Sequence, residues 1–164
     1  MAISDREWDA MSDSCQGGEE MKQRILIALD GSENARRALR EVSRWIDRAV
    51  YEHLTLITIT EPVSKVEQRR MSGMSLHASV KKVEEEAREM AEECAAVLRE
   101  EGIPYVILVG EGKPGEQIVS TVRDGEYDLV VLGQRGRNPF SELLLGSVSS
   151  YVLHHAPVSV LLVK

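Results

Sequence analysis

Short apolar runs alternate with amphipathic stretches along this chain. Ile25 to Asp30 (ILIALD) is continuously apolar and closes in Asp30-Gly31-Ser32, as expected of a strand buried on both faces and followed by a turn. Ala35, Ala38, Leu39, Val42, Trp45, Ile46 and Ala49 then recur at steps of three and four, the spacing of one helix face, with Ser32 or Asn34 as its N-cap. The β-branched LTLITIT, Leu54 to Thr60, stops before Pro62 and predicts the second strand. Residues 62 to about 77 carry Arg69, Arg70 and Gly73 without a period, and predict a long surface loop. Val80, Val83, Ala87, Met90, Ala91, Cys94, Val97 and Leu98 restore helical spacing until Gly102. Tyr105 to Val109 predict a third strand, Gly115 to Arg123 a short helix with Ile118, Val119 and Val122 inward, and Asp128 to Gly133 a fourth strand. Ser147 to His155 then predict a helix, and Val158 to Val163 a fifth strand.

Strands that alternate with helices pair in parallel through right-handed crossovers. The expected fold is therefore α/β, an open, mostly parallel five-stranded sheet with helices on both faces, Rossmann-like or flavodoxin-like. Such sheets take ligands at the carboxyl ends of their strands, where the strand order reverses. Residues 1–22 have no sustained period and end in Gly17-Gly18-Glu19-Glu20, which predicts a flexible tail ahead of one domain over 23–164.

Composition narrows the function classes. The 164 residues are 43% hydrophobic and 29% charged, which suits one domain with a real core. No apolar run approaches the ~18 residues of a membrane span, and the first residues are acidic where a signal peptide is basic. The expectation is a cytoplasmic protein with no membrane partner. A net charge of −7 disfavours a broad footprint on nucleic acid. Cys15 and Cys94 fit no redox or ligand spacing, and Cys94 falls on the apolar stripe as a core residue.

Candidate chemistry gathers in Val130 to Leu153, VVLGQRGRNPFSELLLGSVSSYVL. Gly133 ends a strand where a side chain would block a ligand, and Gly136 lets the chain turn back in a conformation other residues resist. Gly146 opens a helix whose free N–H groups at Ser147, Val148 and Ser149 face an anion that the helix dipole favours. Two hydroxyls add donors, and the set contains no metal cluster and no catalytic base. Glycines also mark strand ends and helix starts for packing alone, so spacing leaves both readings open. Gly110, Gly112 and Gly115 spell a dinucleotide fingerprint on paper, but no acidic-ended strand follows at the required distance; Pro114 reads as a first-turn helix residue. A P-loop motif is absent, and His53, His77, His154 and His155 lack metal spacing.

The pattern glycine, two residues, glycine, nine residues, glycine, then serine, carried by Gly133, Gly136, Gly146 and Ser147, resembles the nucleotide signature of the ATP-binding branch of the universal stress protein family. ILIALDGSENARRAL is similar to the family's first strand and turn, GKPGEQIV to its Gly-x-Pro helix start, and SVSSYVLHHAPVSVLLVK to its last helix and strand. The resemblance covers residues 24–164. It implies ATP as ligand, with Mg or Mn held mainly by the phosphates. It assigns Ala28 and Ile59 to the base, Asp30 to the ribose and Leu132 to the entry of the glycine loop, and counts Leu29 among the nucleotide-binding residues. Gly133 and Gly136 would line the ribose and phosphate path, and Gly146, Ser147, Val148 and Ser149 would grip the phosphates. Asp30 is equally read as a turn former and cap. Arg135 and Arg137 either neutralise phosphate or stand as solvated loop charges. The resemblance further implies a stress-response or signalling module in which nucleotide occupancy is read by a protein partner, and a homodimer through Val158 to Val163. A slow ATPase or autophosphorylating enzyme using the same site is the alternative. A tail folded back over the last strand would instead keep the chain monomeric, with Trp8 buried.

Overall fold

The computed structural model describes residues 23–46, 51–62, 73–136 and 145–164, the side chains of 51–53 and 73–75 excepted. Its strands are β1 (Gln23–Leu29), β2 (Tyr51–Thr60), β3 (Val106–Glu111), β4 (Leu129–Gly133) and β5 (Ser159–Val163). The helices are α1 (Glu33–Trp45), α2 (Gly73–Cys94), α3 (Ala96–Glu100), α4 (Pro114–Asp124) and α5 (Ser147–His155). All strand pairs are parallel, in the order β3-β2-β1-β4-β5. The chain thus builds outward from β1 in one direction, returns to the other side of β1, and builds outward again. The reversal falls between the carboxyl ends of β1 and β4.

Alternation along β1 divides the core in two. Ile25, Ile27 and Leu29 point to one face and pack with Ala35, Ala38, Leu39 and Val42 of α1, Ala91 and Cys94 of α2, and Leu98 of α3. Leu26 and Ala28 point to the other, toward Ile118, Val119 and Val122 of α4 and Val152 of α5. A strand central to two layers must be apolar at every position, which is why ILIAL shows no polar break. Burial pushes the Cys94 thiol above its ordinary range, as expected of a packed core cysteine.

The structure departs from the sequence reading most clearly along α2, and Trp45, expected on the apolar face of α1, is 47% exposed. The stretch expected to be loop up to about residue 77 is helical from Gly73, and residues 63–72 lie outside the described set. The apolar stripe that begins at Val80 is also not all core: Val80 and Val83 remain 37% and 38% exposed, and burial on α2 starts only at Ala91. A period of 3.6 shows which residues share a face, but how far a partner extends along that face is decided by tertiary packing. The expected tail, residues 1–22, lies outside the described residues.

Among the described residues, no helix is long and apolar enough to cross a membrane.

Candidate functional site

A cleft of about 810 Å³ opens at the carboxyl ends of β1, β2 and β4. Its walls include Ala28, Leu29, Asp30, Ile59, Leu132, Gly133, Arg135, Gly136, Gly146, Ser147, Val148 and Ser149. Every residue singled out by motif or resemblance is therefore on one cavity, except Arg137, which lies outside the described residues.

The first wall is the turn after β1. Gly31 has φ +77°, a conformation that excludes most side chains, and allows the chain to enter α1 at once. Asp30 Oδ1 accepts from the Ser32 N–H at 2.9 Å, and the Ser32 hydroxyl, the N-cap, accepts from the Ala35 N–H at 3.2 Å. Asp30 is thus a turn former through one oxygen, while its other oxygen faces the glycine loop: a Cβ built on Gly136 would lie 2.7 Å from Asp30 Oδ2. The two readings of Asp30 use different atoms and are compatible.

The glycines act differently from the expectation. Gly136 has no positive φ, so the turn itself does not require glycine there; the closeness of the Asp30 carboxylate does. Gly133 is required by packing. A Cβ there would lie 2.8 Å from Asn34 Cβ, 2.9 Å from the Asn34 carbonyl carbon and 3.0 Å from the Ala35 nitrogen. Helix α1 starts directly against the end of β4, and it leaves no room for a methyl group. Gly146 has an ordinary extended backbone, φ −68° and ψ 156°, and a Cβ there meets only van der Waals neighbours, Arg135 Cα and Gln134 O at 3.5 Å and Gly136 N at 3.6 Å.

Three consecutive carbonyls of the loop are held from three sides. Gly133 O accepts from the Ser149 hydroxyl at 2.8 Å, Gln134 O from the Gly146 N–H at 3.0 Å, and Arg135 O from the Asn34 side-chain amide at 3.3 Å. The Gln134 N–H in turn donates to Val163 O at 2.7 Å. The loop is tied to α1, α5 and β5 together. Gly146, the N-cap of α5, supplies no side-chain cap, and among the described residues no side chain caps the N–H groups of the first turn. Arg135 Nε is buried without a hydrogen-bond partner. A buried donor without an acceptor costs energy, and Arg135 is itself a lining residue of the cleft.

Ser147 and Ser149 separate into two roles. Ser147 is exposed at the helix start, whereas Ser149 is buried with its proton committed to Gly133. Ser149→Ala is expected to cost about 1 kcal/mol of stability by removing the hydrogen bond from its buried hydroxyl to the Gly133 carbonyl. Ser147→Ala is expected to leave stability unchanged and to weaken an anion held at the start of α5 roughly tenfold or more through one lost charge-assisted bond. Thermal melts and calorimetric titration of the two variants check the split; equal melting temperatures would overturn it.

The sequence reading missed part of the cavity. Thr58, Thr60 and Glu61 at the end of β2, Val83, Glu86, Ala87 and Met90 of α2, and Pro114 and Ile118 of α4 also line it. The carboxyl-end rule already pointed at Thr60 and Glu61. Nothing local marked Glu86, because a glutamate on a charged helix face looks solvated. Among the described lining residues Arg135 is the cation, and Asp30, Glu61 and Glu86 are carboxylates. No group of three or more His, Cys, Asp or Glu suited to a metal occurs among the described residues.

The glycines of the paper fingerprint have packing reasons of their own. A Cβ on Gly110 would meet Ile59 Cδ1 at 2.8 Å, one on Gly115 would meet the Tyr151 ring at 2.8 Å, and Gly112 has φ +130°. Strand β3 is at the sheet edge, away from the reversal. His154 and His155 turn their Nδ1 atoms onto the Ser150 and Tyr151 carbonyls, both at 2.7 Å, within the last turns of α5.

Comparison with known proteins agrees with this architecture. The profile of the universal stress protein family matches residues 21–164. Universal stress protein Sll1388 of Synechocystis sp. is 31% identical over 151 residues, covering 86% of this chain and 97% of its own. The solved structure of MJ0577, named elsewhere as a universal stress protein of Methanocaldococcus jannaschii, superposes with a TM-score of 0.71 at 27% identity and covers 88% of this chain and 96% of its own. A family protein from Arabidopsis thaliana solved with AMP bound shares the fold at 18% identity, with a TM-score of 0.53 and coverage of 87% and 91%. A profile that accounts for the whole sheet, and a relative matched over nearly its full length, leave one assignment: this chain belongs to the universal stress protein family.

Proposed function

We propose that the cleft binds ATP and that the protein is a nucleotide-responsive stress or signalling module of the cytoplasm. The observation that carries this reading is the buried, unpaired Arg135 Nε beside an uncapped helix start. Both features ask for an anion at one place. The adenosine would lie along Ala28, Leu29, Asp30, Ile59 and Leu132, where the walls are mostly apolar, and the phosphates would meet Gly136, Arg135, Gly146, Ser147 and Val148. Ser149 would contribute its backbone N–H, its hydroxyl being used within the fold. Arg137 would add a second cation. The AMP complex of the Arabidopsis relative supports an adenine nucleotide as the class of ligand.

The residues fit the phosphates as a cradle of amides and one guanidinium. They offer a divalent ion no cluster of its own, so Mg or Mn would be held chiefly by the phosphates. Mass spectrometry of the ligand that co-purifies, followed by calorimetric titration with ATP, ADP and AMP, tests the reading; absence of binding to all three would overturn it. Single-turnover measurement on bound ATP separates a binding module, in which the nucleotide persists, from a slow ATPase or autophosphorylating enzyme.

The same reading includes a homodimer through Val158 to Val163. Strand β5 pairs with β4 and ends the sheet, and no strand among the described residues pairs with its outer edge, where a second copy would dock. Consecutive strand residues send their N–H groups to opposite sides, so of Val160→Pro and Leu161→Pro one removes a bond to β4 and the other an outward donor. The outward variant is expected to be a folded monomer and the inward one a destabilised dimer, as read by light scattering and thermal melts. A monomeric unmodified protein at high micromolar concentration would rule the dimer out.

A further inference from the structure

Asn34 precedes the glycine loop by a hundred residues and belongs to none of its motifs, yet it touches the loop twice. It is the second residue of α1. Its side-chain amide donates to the Arg135 carbonyl at 3.3 Å, and its backbone and Cβ occupy the space that Gly133 leaves vacant. The packing at Gly133 fixes where Asn34 stands, and the hydrogen bond transmits that position to the next turn of the loop.

The peptide unit makes this consequential. Arg135 C=O and Gly136 N–H belong to one planar trans amide, in which the two groups point in opposite directions. Holding the carbonyl toward α1 therefore aims the Gly136 N–H away from α1. The Gly136 nitrogen borders the start of α5, 3.6 Å from a Cβ built on Gly146. No acceptor among the described residues takes this N–H. Without the Asn34 bond the peptide is able to rotate and present its carbonyl, an acceptor that repels phosphate oxygens, in place of the donor.

We infer that Asn34 is a positioning residue for the anion: it sets the orientation of the Arg135–Gly136 peptide so that the Gly136 N–H donates to a phosphate group in the cleft. The inference rests on the nucleotide reading of the site and deepens it, by assigning a residue outside the glycine motif to selectivity for phosphorylated over unphosphorylated nucleoside.

Asn34→Leu tests it, since leucine keeps the volume and the charge but has no donor. Position 34 lies in the first turn of α1 and is half-buried, so the fold is expected to survive. Calorimetric titration is expected to show ATP weakened about tenfold and adenosine changed by less than about twofold, the difference being that of one aimed donor to a charged acceptor. Nuclear magnetic resonance gives an independent readout: the Gly136 amide signal of the unmodified protein shifts on adding ATP, and in Asn34→Leu its ligand-free position moves and its response to ATP shrinks. Asn34→Gln, which retains the amide donor on a longer arm, is expected to recover part of the ATP affinity. Equal weakening of ATP and adenosine, or undiminished ATP affinity in Asn34→Leu, would overturn the inference while leaving nucleotide binding standing. Failure of the unmodified protein to bind ATP would remove the nucleotide reading itself, and the inference with it.

Discussion

Gly133→Val is expected to lower stability by about 3 kcal/mol, the upper part of the range for overpacking a filled core, and to abolish nucleotide binding with it. For a chain of this length that corresponds to a fall in melting temperature of roughly 6 to 12 °C. The reason is the identity of the atoms in the way. A new Cβ meets the Asn34 carbonyl carbon at 2.9 Å and the Ala35 nitrogen at 3.0 Å, which are backbone and cannot rotate aside. Relief requires that α1 retreat from β4, which uncovers Ala35, Ala38 and Val131 and breaks the bond from Asn34 to Arg135. A variant that melts with the unmodified protein would show that α1 does not approach β4 as described.

Gly146→Val is expected to separate the two observables. Stability should stay within about 0.5 kcal/mol, as for substitutions away from core, cap and strain, because φ −68° and ψ 156° suit valine and the nearest atoms to a Cβ stand at 3.5 Å or more. ATP affinity should fall by about a hundredfold, near 2.7 kcal/mol. The valine methyl groups extend past Cβ over the Gly136 nitrogen, 3.6 Å away, and over the first turn of α5, and so shield the donors an anion needs. Calorimetric titration on the folded variant decides it, and an affinity equal to that of the unmodified protein would move the phosphates away from Gly146. Taken with Gly133→Val, the pair separates a glycine kept for packing from one kept for access.

The order and type of the elements were legible because burial on two faces leaves ILIAL of β1 and LVVL of β4 without a polar break, while α1 and α4 keep one apolar stripe each. The glycine spacing likewise pointed at residues that line a single cavity. What each glycine does was not legible. The requirement at Gly133 comes from Asn34, and that at Gly136 from Asp30, across roughly a hundred residues of sequence in each case. Ser149 looked like a partner of Ser147 because the two are adjacent in the motif; its burial against Gly133 depends on the angle at which α5 meets the sheet. Glu86 and Met90 were hidden for a related reason, since α2 turns one flank to the core and another to the cleft.

The reversal of strand order has a consequence for how this protein is made. One wall of the cleft comes from the ends of β1 and β2, early in the chain, and the other from β4 and the start of α5, so that the Asn34–Arg135 bond closes a separation of 101 residues. On the ribosome the first three strands are able to pair as they emerge, because β1, β2 and β3 are neighbours in space as well as in sequence. The ligand site has to wait for β4 to slot in on the far side of β1. A nascent chain is therefore able to pair β1, β2 and β3 before its cleft exists, and a ligand that bridges the two walls adds its stabilisation, RT ln(1 + [L]/Kd), only to the finished fold. Under the nucleotide reading, the ligand would then act as a late clasp on newly made protein, and its depletion would be felt as a larger unfolded fraction and greater exposure to proteases.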